Sequence, residues 1–219
     1  MSDPGKKAAL FDQLARVGKA LGNGKRLELL DLLIQAERSV EALAAASGQG
    51  LTTVSAHLQT LKAAGLVAAR REGQRIYYAP AGEDVLALYR LARDTAATHI
   101  AEVERAAADY LGDRPRQVGR ADLLAGIEDG RYTVLDVRPA EEYAAAHLPG
   151  AIGIPLDELP DRLNEIPADT EIVAYCRGAY CVFAHDAVTI LERTGRTAAR
   201  LEEGLLEWRL ANLPVESSR

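Results

Sequence analysis

Cys176 and Cys181 are the only cysteines in the 219 residues, and both sit in one short stretch, Glu171-Ile-Val-Ala-Tyr-Cys-Arg-Gly-Ala-Tyr-Cys-Val-Phe-Ala-His185. The apolar run Ile172, Val173, Ala174 and Tyr175 reads as a short buried strand, and Val182, Ala184, Val188 and Leu191 have helical spacing. A thiol on the turn from a strand into a helix N-terminus meets converging backbone N–H groups. That setting favours an anion, so the expectation is a thiolate with a depressed pKa. Gly178 frees the backbone of the loop, and Ala179 and Tyr180 complete it. The bland alternative is a pair of small apolar side chains that pack the loop.

A second set of chemically suggestive residues lies in the first half. Asn23 can cap a helix through Leu27, Leu29, Leu30, Leu33 and Ile34, after an amphipathic helix with Phe11, Leu14, Val17 and Leu21. Ser39 starts a short helix that stops at Gly48. A fourth helix follows Gly50, with Val54, Leu58 and Leu61 on its inner face and Gly65 closing it. Helix, Gly turn, helix is the helix-turn-helix pattern. Thr52, Thr53, Ser55, Ala56, Gln59 and Lys62 stand off the apolar stripe, where small and amide side chains suit base edges in a major groove and Lys62 suits phosphate. Two short strands around Glu72-Gly73-Gln74 make a hairpin wing, on which Arg70, Arg71 and Arg75 would take backbone phosphates.

About half of the residues are apolar, enough for real cores, and no run is long enough to span a bilayer. The N-terminus lacks an apolar signal core, and two cysteines in one loop do not make a disulfide scaffold; both features suit a reducing cytoplasm. The overall net charge of −6 hides an uneven division. Residues 1–116 hold 16 Lys and Arg against 14 Asp and Glu, while residues 117–219 hold 10 against 18. The mildly basic half is the one with the helix-turn-helix pattern.

Around the cysteines stand Val134-Leu-Asp-Val-Arg-Pro-Ala-Glu-Glu-Tyr143, Ala146-His-Leu-Pro-Gly-Ala-Ile-Gly-Ile-Pro155, Leu201-Glu-Glu-Gly204 and Trp208. Together these closely resemble a rhodanese, or sulfurtransferase, domain over about residues 117–219. Glu203 departs from the family pattern, which usually has glycine there. The stretch Val54-Ser-Ala-His-Leu-Gln-Thr-Leu-Lys-Ala-Ala-Gly-Leu-Val67, with Arg71, Gly73, Tyr77 and Tyr78, resembles the ArsR/SmtB winged-helix repressors over about residues 8–111. The resemblances imply two domains, a mainly α winged helix-turn-helix (1–111) and an α/β rhodanese-like domain with a parallel central sheet (117–219), joined by a linker at 112–116. Leu88, Ala92, Ala96, Ile100, Val103, Ala107 and Leu111 form the stripe of one long last helix in the first domain, about Glu83–Leu111, and the ArsR/SmtB resemblance implies that the first and last helices build a homodimer.

The rhodanese resemblance makes Cys176 the nucleophile that would carry a persulfide between a sulfane sulfur donor and a thiol acceptor. Arg177 would add positive charge beside it or face solvent. Cys181 would resolve the persulfide into a disulfide or polysulfide link, or pack the loop. Asp136, Arg138, Glu142 and His147 are expected to be structural. Phosphatases and arsenate reductases on this fold carry Cys-x5-Arg, and here Val182 stands at the arginine position. The third helix has no thiol for a thiophilic metal, and Leu86 and Leu88 occupy what would be half of a last-helix site completed by His99 and Glu102, so no metal and no cofactor are expected.

The reading that follows is a cytoplasmic repressor that binds duplex DNA, does not engage a membrane, and senses sulfane sulfur. Its rivals are a working sulfurtransferase tethered to a repressor that answers another signal, and a thiol- or arsenic-binding module without turnover.

Overall fold

The computed structural model describes residues 3–112 and 115–218, so Asp113 and Arg114 of the expected linker lie outside the described residues. Two compact units emerge, Met1–Tyr89 and Arg90–Arg219. Among the described residues no helix is long and apolar enough to cross a membrane.

In the first unit, α1 (Pro4–Leu21) is followed by α2 (Gly24–Gln35), where the Asn23 side chain accepts the Arg26 N–H at 3.2 Å. The strand β1 (Arg38–Ser39) leads into α3 (Val40–Ser47), whose cap is the Ser39 hydroxyl accepting from the Ala42 N–H. Such side-chain acceptors satisfy N–H groups that a helix start leaves unpaired. Next come α4 (Leu51–Ala63), β2 (Val67–Glu72) and β3 (Arg75–Pro80). The turn between these last two strands passes through Gly73 at φ 60°, a left-handed conformation that glycine adopts without steric cost. β3 pairs antiparallel with β2 on one side and with β1 on the other, so the wing is a three-stranded sheet. Leu29, Leu30, Leu33, Leu43, Val54, Leu58 and Leu61 are fully buried and form the core on which α4 rests.

The helix expected to run unbroken to Leu111 is instead two, α5 (Glu83–His99) and α6 (Ala101–Leu111), with Ile100 at φ −118° and ψ 99° between them. Just before the break, the Thr98 hydroxyl donates to the Asp94 carbonyl at 2.8 Å, a bond that competes with the helical ladder and bends helices. The boundary between the two units falls inside α5.

The second unit continues with β4 (Gln117–Val118), α7 (Arg120–Glu128), β5 (Tyr132–Asp136), α8 (Ala140–Ala145), β6 (Ile152–Gly153), β7 (Glu171–Tyr175), α9 (Phe183–Arg193), β8 (Ala198–Leu201) and α10 (Leu205–Leu210). The five strands form one parallel sheet in the order β4-β8-β7-β5-β6. Parallel sheets are covered on both faces, and the central strand reads accordingly, with Ile172, Val173, Ala174 and Tyr175 all buried. One face packs Ile172, Ala174 and Cys176 against Ala184, Ala187, Val188 and Leu191 of α9. The other packs Val173 and Tyr175 against Leu123, Leu205 and Trp208.

A buried polar network pins the ends of β5 and β7. Arg138 Nη2 donates to Asp136 Oδ2 at 2.6 Å, and the Tyr175 hydroxyl donates to the same carboxylate at 2.5 Å. Arg138 also donates to the Ala146 carbonyl, and the Leu148 N–H donates to the Tyr175 oxygen. His147 stacks on the Tyr143 ring, with centroids 3.8 Å apart. Charges removed from water this completely persist only when paired and hydrogen-bonded.

Candidate thiol site and candidate DNA-reading face

β7 delivers Cys176 to the end of the sheet, and the chain turns at once toward α9. The turn is closed by the Cys181 N–H donating to the Gly178 carbonyl at 3.2 Å. Cys176 is buried, at 2% exposure, and its Sγ lies 3.5 Å from the Cys181 carbonyl oxygen. Cys181 is half-buried, and both thiols are free. The two side chains influence each other electrostatically. The amides of Ala184 and Gly178 serve Cys176, and those of Arg177 and Phe183 serve Cys181. Convergent amides of this kind at a helix start stabilise anions.

The expected acidic Cys176 needs correction. Burial pushes its thiol well above the usual value, and the hydrogen bond and charge of Cys181 push the same way. Cys181 is lowered, first by the Cys176 side chain, then by the two amides and the Arg177 charge. A loop amide set alone does not decide thiol acidity, because burial of a sulfur in the apolar core works against its charged form.

Arg177 neither stands free beside the nucleophile nor faces solvent. Its guanidinium makes a two-pronged bond to the fully buried Glu142, with Nη2 2.6 Å from Oε1 and Nε 3.0 Å from Oε2. Asp136, Arg138 and Glu142 thus hold the strand ends and the Cys loop, as the rhodanese resemblance implies.

Gly178 and Gly204 let two backbones approach. A Cβ on Gly204 would stand 2.4 Å from both the Arg177 carbonyl carbon and the Gly178 nitrogen. The Gly204 N–H donates to Glu207 Oε2 at 2.9 Å, and Glu207 pairs with Arg93 at 2.6 Å within the second unit. The Arg93 guanidinium lies 3.3 Å from where a Gly178 Cβ would be, and 6.0 Å from the centre of the Tyr180 ring. Tyr180 also lines a cavity of about 190 Å³ with Ala97, Glu104 and Ala107. The Ala179 carbonyl accepts from Arg200 Nη2 at 3.1 Å. Glu203, the departure from the rhodanese pattern, pairs with Arg120 at 3.3 Å.

Sequence reasoning gives no role to Arg93, Arg200 or Glu207, and Gly204 enters it only as part of the rhodanese pattern. Arg200 does leave a signal, as a lone charge in the otherwise apolar strand Ala198-Ala199-Arg200-Leu201. The partnership of Arg93 with Glu207 spans 114 positions and leaves none.

On the first unit, α4 presents Thr52, Thr53, Ala56 and Lys62 to solvent, with Ser55 half-buried. Gln59 is exposed, yet its amide donates to the buried Tyr78 hydroxyl at 3.0 Å, which fixes the side chain against the wing. Arg71 and Arg75 are exposed on the wing, and Arg71 Nε donates to the Gly73 carbonyl. Arg70 differs: its Nε donates to Glu37 at 2.7 Å, and Nη1 pairs with Glu72. Glu102, the possible metal ligand on the last helix, pairs with Arg105 at 2.8 Å.

Both units have relatives among known proteins. The Rhodanese-like domain family matches residues 120–211, and the bacterial regulatory protein, arsR family, matches residues 23–69. An HTH-type transcriptional regulator of Mycobacterium tuberculosis is 60% identical over 211 residues, which is 96% of this chain and 93% of that protein. A sulfurtransferase of Allochromatium vinosum is 32% identical over 92 residues, covering 42% of this chain and 83% of its own length. The solution structure of a homodimeric winged helix-turn-helix DNA-binding domain from Mycobacterium bovis shares 60% identity. It covers 47% of this chain and 93% of that one, with a TM-score of 0.43.

Proposed function

Because the chain belongs to the ArsR-family HTH transcriptional regulators and carries a C-terminal rhodanese-like domain, we propose that it is a repressor whose cysteine loop takes up sulfane sulfur and thereby changes its grip on DNA. One observation carries this reading: two free thiols share one short loop at the start of α9, with Cys176 Sγ 3.5 Å from the Cys181 carbonyl oxygen. A sulfurtransferase needs a single carrier thiol, whereas a switch gains from a second that locks the modified state.

The chemistry balances within the pair. Cys181, as thiolate, takes the proton of Cys176. The Cys176 thiolate attacks the outer sulfur of a persulfide donor RSSH, giving Cys176–S–SH and releasing RS⁻, which collects the proton from Cys181. The Cys181 thiolate then attacks the Cys176 sulfur and expels HS⁻, leaving a Cys176–Cys181 disulfide. The two thiols are oxidised and the sulfane sulfur is reduced to hydrosulfide. A further sulfane sulfur retained between them would give a polysulfide bridge instead.

On the DNA side, the reading places α4 in a major groove, with Thr52, Thr53, Ser55, Ala56 and Gln59 at base edges and Lys62, Arg70, Arg71 and Arg75 at phosphates. Two copies are required for two half-sites. α1 keeps Leu10, Phe11 and Leu14 exposed at 58%, 58% and 61%, an apolar face suited to a second copy of this chain.

Intact mass spectrometry of the full chain after treatment with a persulfide or polysulfide donor tests the sulfur step. The expected product links Cys176 to Cys181, directly or through added sulfur, and is reversed by a dithiol reductant. Recovery of the unmodified chain with every sulfane donor would reject it in favour of a module without turnover.

A further inference from the structure

Arg177, whose charge reaches Cys181, is also matched to Glu142, and the second unit holds a further cation on the thiol side of the sheet. Arg200 lies on β8, level with Ala174 of β7 and with Gln117 of β4, and its own N–H donates to the Arg116 carbonyl at 2.9 Å. Side chains two apart on a strand share a face, and Ala198 packs in the cluster that contains Cys176, Cys181 and Ala184. Arg200 is therefore aimed at the face of the sheet where the thiols lie, and it is only 4% exposed.

Its Nη2 donates to two carbonyls, that of Ala179 inside the Cys loop at 3.1 Å and that of Glu202 at 3.2 Å. Carbonyl dipoles alone are poor compensation for a guanidinium removed from water. Burial presses its pKa down, and negative charge on the thiols, Glu202 or Glu207 would oppose that. A buried cation on the face of the sheet that carries a thiol pair is completed when that pair carries negative charge.

We propose that Arg200 is a positioning residue of the thiol site, anchoring the loop through the Ala179 carbonyl and supplying the cation that balances a thiolate or persulfide at Cys176 and Cys181. The persulfide half of this statement rests on the proposed sulfur chemistry, and the thiolate half does not. A hydroxyl or amide in place of the guanidinium could hold the loop carbonyl, but it could not answer the charge.

Two substitutions separate the roles. Arg200→Gln keeps an N–H donor for the Ala179 carbonyl and removes the charge, and Arg200→Lys keeps the charge. On the full chain, the pH profile of iodoacetamide alkylation, read by intact mass, reports thiolate formation without any sulfur donor. Loss of a cation near a thiolate should move the midpoint of Arg200→Gln upward by about one pH unit or more, while Arg200→Lys stays near the wild type. Sulfur uptake from a persulfide donor at neutral pH should fall about tenfold in Arg200→Gln, as the thiolate fraction does.

A natively folded Arg200→Gln with the wild-type alkylation profile would overturn the proposal. Should the variants fail to fold, NMR of the wild type with labelled arginine decides: the Arg200 Nε signal is expected to move as the pair titrates, and a stationary signal contradicts the role. A shifted alkylation profile without sulfur uptake from any donor would reject the sulfur reading and leave the cation role standing.

Discussion

On the wing, Arg71 and Arg75 stand at the surface, and only Arg70 is drawn into carboxylates, Glu37 and Glu72. Around the cysteine loop the described arginines are held: Arg177 is locked to Glu142, Arg93 to Glu207, and Arg200 is buried against loop carbonyls. The two regions use the same side chain under opposite dielectric conditions. An exposed guanidinium interacts weakly and exchanges partners readily, which suits the many phosphates of a duplex. A buried one is worth far more and must be matched, which suits a single fixed anion. The wing should therefore tolerate substitution with graded losses, and the loop should not.

The largest expected effect is at Cys176. Cys176→Ser should abolish sulfur transfer to cyanide or thiol acceptors, while Cys181→Ser keeps part of it; wild-type turnover in Cys176→Ser would show that the nucleophile is misassigned. Arg138→Met comes next. It leaves Asp136 buried without its cation, and the loss of stability by chemical denaturation should be about 3–5 kcal/mol. A cost near that of a surface substitution would erase the contrast between the two regions.

The pH dependence of the thiol pair follows from Cys181, whose pKa is lowered. The thiolate form is present above that lowered value and is lost as pH falls through it. Alkylation of the pair should thus persist below the pH range of an ordinary thiol and decline only at lower pH. A profile centred on the ordinary thiol value would remove the electrostatic case for the cradle.

On the wing the effects are smaller. Arg75→Ala should weaken DNA binding and flatten the salt dependence by about 0.9 in log–log slope for each phosphate no longer neutralised, with little change in sequence preference. Arg70→Ala should do less, because Arg70 must first leave Glu37 and Glu72 before it can reach a phosphate. An Arg70→Ala loss larger than that of Arg75→Ala would invert this ranking.

Features set by local chemistry are legible in the chain. Asn23 and Ser39 cap the helices that follow them, Gly48 ends α3 at φ 62°, and Gly73 turns the wing, because each answers a need of its immediate neighbours. The strand-loop-helix placement of the cysteines is legible for the same reason, since apolar runs and helical spacing bracket it. What escapes depends on partners distant in sequence. The pairing of Arg70 with Glu37 and the burial of Arg200 are products of tertiary packing, and no periodicity announces them. The relative acidity of two cysteines in one loop depends on which sulfur lies deeper in the core. The break at Ile100 carries neither Pro nor Gly, only a Thr98 hydroxyl that takes the Asp94 carbonyl.

The central claim is that sulfur chemistry at Cys176 and Cys181 alters DNA binding. The most direct measurement is the affinity of the full-length protein for a duplex selected from a random-sequence pool, taken at one fixed salt concentration before and after persulfide donor treatment, alongside Cys181→Ser. The account predicts weaker binding by the treated wild type, recovery with dithiol reductant, and little change in Cys181→Ser. Equal affinity of the reduced and the sulfur-linked wild type would contradict it.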